Sequence, residues 1–228
     1  MKKTLPYSDI DSIIFSGGGI ESAAALAWAH RKKLNPLVVT FVFSDTEAVK
    51  QMVIATQKQA EYFGFNCHVS VSDTPISGPI TYNVSDVCLG FPIEFVLGNP
   101  KLNIKYFITG TNSEDSLQQR VQIRHAQRTI LARRTKQYEL CGNKIADTAY
   151  IPVWVFPFEY LTKAEIIGMV ANSYPELMKM VWTCHNPIED KPCKKCSKCI
   201  EYRAANDSAW RASKRVQEGD NYGLYLRN

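Results

Sequence analysis

The chain has 228 residues, of which 45% are hydrophobic and 21% charged, so it can bury a core and is not disordered. Its 27 Lys and Arg against 22 Asp and Glu give a formal net charge of +5, which permits a phosphate or nucleic-acid partner without favouring one. No apolar run is long enough to span a bilayer, and the first residues lack the apolar stretch of a signal peptide, so we expect a cytoplasmic protein without membrane contact.

Short apolar runs alternate with segments of helical periodicity along the first half of the chain. The runs are rich in β-branched and aromatic residues, which predicts four buried strands, at 12–15, 37–43, 67–71 and 106–109. The first predicted helix runs from 22 to 33 and is stopped by Asn35-Pro36. The second begins at a capping box of Ser44 and Glu47 and ends at a C-cap glycine, Gly64.

This alternation predicts an α/β fold, with a doubly wound parallel sheet and helices on both of its faces. In such sheets the loops at the carboxyl ends of the strands form the binding crevice. The strongly polar residues 111–128 directly follow the fourth predicted strand, while residues 72–90 are expected to make a long excursion. Because the chain changes to a cysteine- and lysine-rich composition near its end, we predict an α/β domain at 1–180 and a small appended module at 181–228.

A glycine-rich run, SGGGIES at 16–22, lies between the first predicted strand and the first predicted helix. Adjacent glycines let backbone amides approach an anion, and the helix start adds a partial positive charge, so the run predicts a phosphate cradle. A Walker A loop is excluded because its lysine is missing. A dinucleotide fingerprint would use Gly17 and Gly19, with Asp45 on a ribose, but Ser22 stands where a glycine or alanine belongs. That alternative stays open, as does a tight turn that binds nothing.

Seven cysteines in a chain without a secretion signal argue against a disulfide framework. Cys67, Cys88 and Cys141 are scattered, and we interpret them as packing residues. The other four are spaced C-x8-C-x2-C-x2-C, which is typical of a closed tetrahedral zinc site formed by Cys184, Cys193, Cys196 and Cys199.

The surroundings of these four cysteines support a structural zinc ion. Four lysines lie among them and would offset the negative charge of a tetrathiolate site: Lys191, Lys194, Lys195 and Lys198. An iron–sulfur cluster is an alternative, because four thiolates also serve iron. His185 is a weaker candidate ligand, since four thiolates already complete the shell, and a complete shell predicts no catalytic role for the zinc.

Several motifs together resemble one enzyme family. The glycine run resembles the SGGxDS pyrophosphate-binding loop of N-type ATP pyrophosphatases, with one extra glycine and with Glu21 in place of the usual aspartate. The run from Trp182 through the four cysteines to Arg203 looks like the carboxy-terminal signature of the 7-cyano-7-deazaguanine synthases (the QueC-like family). The Thr-Lys-x-Glu segment at 162–165 and the Gly-x-Asn-x-x-Asp segment at 110–115 are similar to two further segments of that family. The chain therefore resembles a diverged member of it.

The resemblance implies an adenine-nucleotide α-hydrolase-like fold in a homodimer, and a ligase that uses ATP with Mg²⁺ beside a structural Zn²⁺. A 7-carboxy-7-deazaguanine carboxylate would be adenylated and then amidated by ammonia, and a second activation would give the nitrile. The residues implied to hold the nucleotide are Phe15, Ser16, Gly17, Gly18, Gly19, Ile20, Glu21, Ser22, Val42, Phe43 and Gly110.

The same resemblance assigns four residues to the chemistry. Lys163 would reach a phosphate or the adenylate, unless it is a solvated lysine at a helix start. Asp115 would contact the substrate, unless it is a helix N-cap. Arg120 or Arg124 would pair with the substrate carboxylate. The chain departs from the family pattern in lacking a Pro-x-Arg-Asn segment in 80–100, so ATP activation is better supported than the identity of the substrate.

Two other functions remain as alternatives. Diverged relatives of this family occur in phage genomes and antiphage operons, where the resemblance implies that a 7-deazaguanine either stops at the amide or is joined to a protein. An adenylating enzyme that acts on a macromolecule, a protein or a nucleic acid, is therefore the second hypothesis. A zinc-knuckle nucleic-acid binder is the third, and a tail with a net charge of only +3 over 184–228 makes nucleic acid an unexpected partner.

Overall fold

The structure is a computed structural model that describes residues 9–42, 44–71, 104–115 and 152–217, side chains of the last helix to residue 212, and single helical positions at 128, 132 and 136. The elements in chain order are β1 (Ser12–Phe15), α1 (Ile20–Arg31), β2 (Pro36–Val42), α2 (Glu47–Phe63), β3 (Asn66–Val71), β4 (Tyr106–Ile108), β5 (Val153–Val155), α3 (Lys163–Ser173), α4 (Pro175–Met178) and α5 (Ser197–Gln217).

The five strands form one parallel sheet in the order β3-β2-β1-β4-β5. This arrangement confirms the predicted α/β fold class, and its strand order is that of doubly wound sheets. The chain winds outward from β1 to β3 and then returns to place β4 on the other side of β1. The loops that follow β1 and β4 therefore separate at this reversal, which is where doubly wound sheets bind their ligands.

Helix α1 is the centre of the described core. Its alanine-rich face is fully buried, and it contacts α2, α3 and α4. Small side chains let the helix lie close to both the sheet and its neighbours. Because α1 begins directly after Gly19, this packing also fixes the position of the end of the glycine run. On the opposite side of the sheet, Phe15 stacks with Phe41 and Trp154, with ring centroids 6.3 and 5.4 Å apart.

The element boundaries differ from prediction mainly at helix starts. Helix α1 begins at Ile20 rather than at residue 22, because Gly19 takes the extended N-cap conformation. The predicted capping box of Ser44 and Glu47 is wrong: the N-cap of α2 is Thr46, whose side chain accepts a hydrogen bond from the amide of Val49 at 3.4 Å. The predicted C-cap at Gly64 is confirmed. One strand and three helices lie outside the four strands and two helices predicted above: β5, α3, α4 and α5.

The cysteine-rich segment is in contact with the rest of the described chain, since α5 packs against α3. The division into domains at 1–180 and 181–228 stays a prediction. The excursion predicted over 72–90, together with Cys88 and Cys141, lies outside the described residues. Within the described ranges, none of the helices has the length and apolar character needed to cross a membrane.

Candidate functional site

The glycine run forms a tight turn whose conformation depends on Gly18. This residue has a φ of +70°, which side chains other than glycine rarely adopt. A Cβ atom there would lie 2.7 Å from the carbonyl oxygen of Met52 and 2.9 Å from the Cβ of Ala55. Since both neighbours belong to α2, the turn is pressed against that helix, and only glycine fits.

Hydrogen bonds inside the turn decide which amides are left for a ligand. The amide of Gly17 donates to Oγ of Ser22 at 3.0 Å, and that of Gly18 donates to Oγ of Ser16 at 3.2 Å. The Ser16 hydroxyl is also 3.0 Å from Oγ1 of Thr56. No side chain caps α1 within the described part of the chain, so the N–H groups of residues 19–22 are available to bind an anion, whereas that of Ala23 already donates to the carbonyl oxygen of Gly19.

The carbonyl oxygen of Gly18 accepts two hydrogen bonds from outside the turn. Nε2 of Gln59 donates to it at 2.9 Å, and so does the backbone amide of Trp182, also at 2.9 Å. The same Gln59 nitrogen also lies 3.2 Å from the carbonyl oxygen of Met180. The turn is thus held by α2 and by the segment that leads into the cysteine cluster.

Lys163 is the first residue of α3 and is placed there by a capping box. The Thr162 hydroxyl accepts from the amide of Glu165, and the Glu165 carboxylate accepts from the amide of Thr162 at 2.8 Å. The Thr-Lys-x-Glu motif therefore has a local structural role, in which threonine and glutamate start the helix. Lys163 is only 8% exposed, which contradicts the solvated alternative.

The buried ammonium group of Lys163 lies between two carboxylates from different helices. It is 2.9 Å from Glu21, in the first turn of α1, and it also pairs with Glu201 of α5. Burial alone would lower the pKa of Lys163, but these two carboxylates outweigh burial and raise it. An ammonium group has three donors, so a phosphate oxygen that reached Lys163 would find one donor left.

The loop after β4 carries polar side chains toward the same place. Asn112 is buried, and its Nδ2 is 3.4 Å from the Glu21 carboxylate. Asp115 accepts from the amide of Asn112 at 2.9 Å, so its carboxylate stabilises a turn of its own loop. A Cβ at Gly110 would lie 2.7 Å from Glu21 Cβ, so glycine is needed there for close packing against α1. The nucleotide role predicted for Gly110 stays a prediction.

The remaining predicted site residues do not all fall within the described chain. Val42 ends β2 and is half-buried, and Phe15 ends β1 within the aromatic group described above. Phe43, Arg120 and Arg124 lie outside the described residues. Asp45, the residue that the dinucleotide alternative would place on a ribose, is exposed and pairs with Lys50 at 3.0 Å.

The four cysteines of the C-x8-C-x2-C-x2-C segment come together as predicted. Their sulfur atoms all lie within 4.8 Å of one another. His185 is exposed and is not part of the group, as expected. Four sulfurs around one zinc ion at its usual bond length stand ~3.8 Å apart, so the group needs little adjustment to close on a single ion. A four-iron cluster would hold the sulfurs further apart, because it places several atoms between them.

The environments of the thiols differ in a way that suits a metal site. Backbone amides, foremost those of His185 and Cys199, lower the pKa of Cys196 to about 6. The pKa of Cys193 is also lowered, first by the amide of Lys195. Burial raises the pKa of Cys199 to about 12. The backbone amides around the half-buried Cys193 and Cys196 thus favour their thiolate forms, whereas burial of Cys199 favours its thiol, which the positive charge of a bound metal ion would offset.

Three residues of this site were not predicted from the sequence. Gln59 lies on the buried side of α2, where the helical periodicity of the sequence predicts packing residues and no contact with the glycine turn. Glu201 and Trp182 belong to the quoted cysteine signature, but nothing in their spacing assigns them to Lys163 or to Gly18. The one signal in the sequence is that helical spacing places Gln59 on the same face as Ala60 and Phe63, where a long polar side chain is unusual.

Comparisons with known proteins give likenesses of structure alone. No protein-family model matches the sequence, and no curated protein does so. The chain is 13% identical to the U34-tRNA thiolase NcsA from Methanococcus maripaludis with its 4Fe-4S cluster, with a TM-score of 0.47 over 96% of this chain and 76% of that one. It is 12% identical to NMN synthetase from Francisella tularensis, with a TM-score of 0.43 over 92% of this chain and 87% of that one.

A third similar structure is a 4-thiouridine synthetase in complex with RNA and bound ATP. It is 13% identical, with a TM-score of 0.44 over 91% of this chain and 52% of that one. All three TM-scores lie below 0.5, so these likenesses assign neither an activity nor a substrate to the chain.

Proposed function

We propose that the chain is an ATP-dependent ligase that adenylates a carboxylate. The observation that carries the proposal is the uncapped start of α1 behind a glycine turn, at the reversal point of a doubly wound sheet. The N–H groups of residues 19–22 and the partial positive charge of the helix would bind the phosphates of ATP there. The Ser22 hydroxyl accepts from Gly17 and keeps its own hydrogen to donate to a phosphate oxygen.

The chemistry that this arrangement would perform is attack on the α-phosphorus of ATP. A substrate carboxylate oxygen forms a bond to that phosphorus while the bond to the bridging oxygen breaks and pyrophosphate leaves. Amides fixed around the departing phosphates stabilise the charge that develops on them. Mg²⁺ bound with the nucleotide would neutralise further charge. Lys163, with one donor unused, would bind a phosphate oxygen or the acyl-adenylate.

We propose 7-carboxy-7-deazaguanine as the substrate, on the sequence resemblance to the QueC-like family. The nitrogen of ammonia attacks the acyl carbon of the adenylate and AMP leaves, which gives the amide. A second adenylation, of the amide oxygen, followed by loss of AMP and a proton gives the nitrile. We further propose a homodimer, because the resemblance implies one, and sedimentation of the full chain measures its oligomeric state. A cytoplasmic location stays the expectation drawn from the sequence.

The proposal is tested by incubating the protein with ATP, Mg²⁺, 7-carboxy-7-deazaguanine and ammonium. We expect AMP and pyrophosphate in equal amounts, and conversion of the acid to the amide or nitrile, detected by mass spectrometry. AMP formation that requires an added protein or nucleic acid instead would favour the macromolecular acceptor. If no AMP forms with any of these acceptors, the adenylating function is wrong.

We propose that the four cysteines hold one structural zinc ion. Metal analysis of the purified protein is expected to find about one zinc and no iron per chain. Replacement of Cys196 by serine should lower zinc content sharply and destabilise the segment, because metal affinity and folding are coupled in such sites. Cys67→Ser is the matched control, since burial raises the pKa of that thiol to about 11 and it lies on β3, apart from the cysteine group. The zinc proposal is wrong if the purified, folded protein contains no zinc. It is also wrong if Cys196→Ser melts at the same temperature as the wild type.

A further inference from the structure

A short series of contacts joins the glycine turn at 16–22 to the group of four cysteines. The Trp182 backbone amide donates to the carbonyl oxygen of Gly18 at 2.9 Å, and its indole Nε1 donates to the carbonyl oxygen of Cys184 at 2.9 Å. One half-buried residue therefore contacts both the glycine turn and the first of the four cysteines. The Cys184 sulfur in turn accepts from the amide of Cys193 at 3.2 Å, so it is tied to the rest of the group.

Gln59 supports the same glycine turn from the side of α2. It is fully buried on α2, and its amide nitrogen is shared between the carbonyl oxygens of Gly18 and Met180. The described residues include no hydrogen-bond partner for its Oε1 atom. A buried glutamine is costly unless its donors are used, so its position is set by the two carbonyl groups that it joins.

A second series of contacts runs in parallel through charges. Glu21 in the first turn of α1 and Glu201 of α5 share the ammonium group of Lys163. Glu201 also pairs with Lys198 at 2.9 Å, and Lys198 directly precedes Cys199. The start of α1 and the cysteine group are thus connected both by hydrogen bonds and by ion pairs, so their conformations are not independent.

We propose that Trp182 and Gln59 are positioning residues that hold the glycine turn in its binding conformation, and that metal occupancy of the cysteine group strengthens nucleotide binding through Trp182, which alone of the two contacts a cysteine of the group. This inference rests on the proposed function for its ligand, ATP. The physical reason is that Gly18 is in a left-handed conformation that its neighbours must maintain. A metal ion that fixes Cys184 also fixes the indole of Trp182, and with it the amide that holds Gly18.

The test uses the full, zinc-loaded chain and two pairs of variants. Trp182→Phe removes the indole donor and keeps the backbone amide, with Trp210→Phe on α5 as its control. Gln59→Leu removes the shared donor, with Gln57→Leu as its control, because Gln57 is an exposed glutamine on the same helix. Hydrogen–deuterium exchange of the peptide that covers 16–22 reports the turn directly, and titration with a non-hydrolysable ATP analogue reports binding.

We expect Trp182→Phe and Gln59→Leu to raise exchange in 16–22 and to weaken binding of the analogue roughly threefold to tenfold, with both controls unchanged. Removing zinc should weaken binding in the wild type, and by a smaller factor in Trp182→Phe, because the two changes act on one link. Equal exchange and equal affinity in each variant and its control would overturn the inference. If no protein binds the analogue, the proposed function fails, whereas the exchange measurement still decides whether these residues position the turn.

Discussion

Gly18→Ala is expected to abolish nucleotide binding and to lower the free energy of unfolding by about 2–4 kcal/mol. An alanine would be strained at the φ of +70° and would place its Cβ 2.7 Å from a backbone oxygen of α2. Backbone cannot move aside as a flexible side chain can, so the turn must leave its position. The measurements are chemical denaturation for stability and calorimetric titration with ATP for binding.

Two other glycines provide controls for this prediction. Gly168 lies inside α3, where an added Cβ would meet no atom within 4 Å, so Gly168→Ala is expected to bind ATP normally and to be more stable by about 0.5–1 kcal/mol. Gly17→Ala meets only the sulfur of Met52, at an ordinary contact distance of 3.8 Å. Gly17→Ala should therefore fold normally. If this variant loses ATP binding, the cause is the added methyl group in the path of the phosphates and not a distorted turn. Normal ATP affinity in Gly18→Ala would contradict the phosphate-binding role that we propose for the turn.

Lys163→Met is expected to cost about 3 kcal/mol of stability and to abolish adenylation. The substitution keeps most of the buried stem but leaves Glu21 and Glu201 facing each other without the cation that separates them. Lys179→Met is the matched control, because Lys179 pairs with Glu176 on the surface, where ion pairs contribute little. Adding Glu201→Gln to Lys163→Met should restore part of the stability without restoring activity. If Lys163→Met is as stable as Lys179→Met, the buried ion pairs do not hold α1, α3 and α5 together.

The pH dependence of stability follows from the same group. The pKa of Lys163 is raised in the folded state, so its contribution is complete below its unfolded pKa of about 10.4 and is lost as pH rises through the folded value. Burial would raise the pKa of Glu201, but Lys163 and Lys198 lower it overall. Its contribution is therefore present above the unfolded pKa of about 4.3 and is lost as pH falls through the folded value. The stability difference between wild type and Lys163→Met should thus be largest between these limits.

The sheet, the glycine turn and the cysteine group could be predicted from the sequence because each depends on local patterns. Strands appear as apolar β-branched runs, the glycine turn as adjacent glycines at a strand end, and the cysteine group as a characteristic spacing. Helix starts were less accurate: Ser44 and Thr46 are equally suitable N-caps by residue type, and backbone geometry selects Thr46.

The contacts that complete the site could not be predicted in this way. A lysine at a helix start is usually solvated, and Lys163 is buried only because carboxylates from α1 and α5 meet it. The hydrogen bonds of Gln59 and Trp182 to Gly18 likewise join residues far apart in the chain. Such tertiary contacts leave no periodicity in a single sequence, so the contacts that orient Lys163 and the glycine turn appear only in the folded structure.

The bond from Trp182 to Gly18 also has a consequence for the order of assembly during synthesis. The glycine turn leaves the ribosome early, yet the amide that holds its central carbonyl group belongs to a segment made after the whole sheet. A nascent chain that has formed only β1, α1 and β2 therefore has the glycine turn without its final support. We expect the turn to reach its final conformation only after residues 182–184 have been translated and have docked against it.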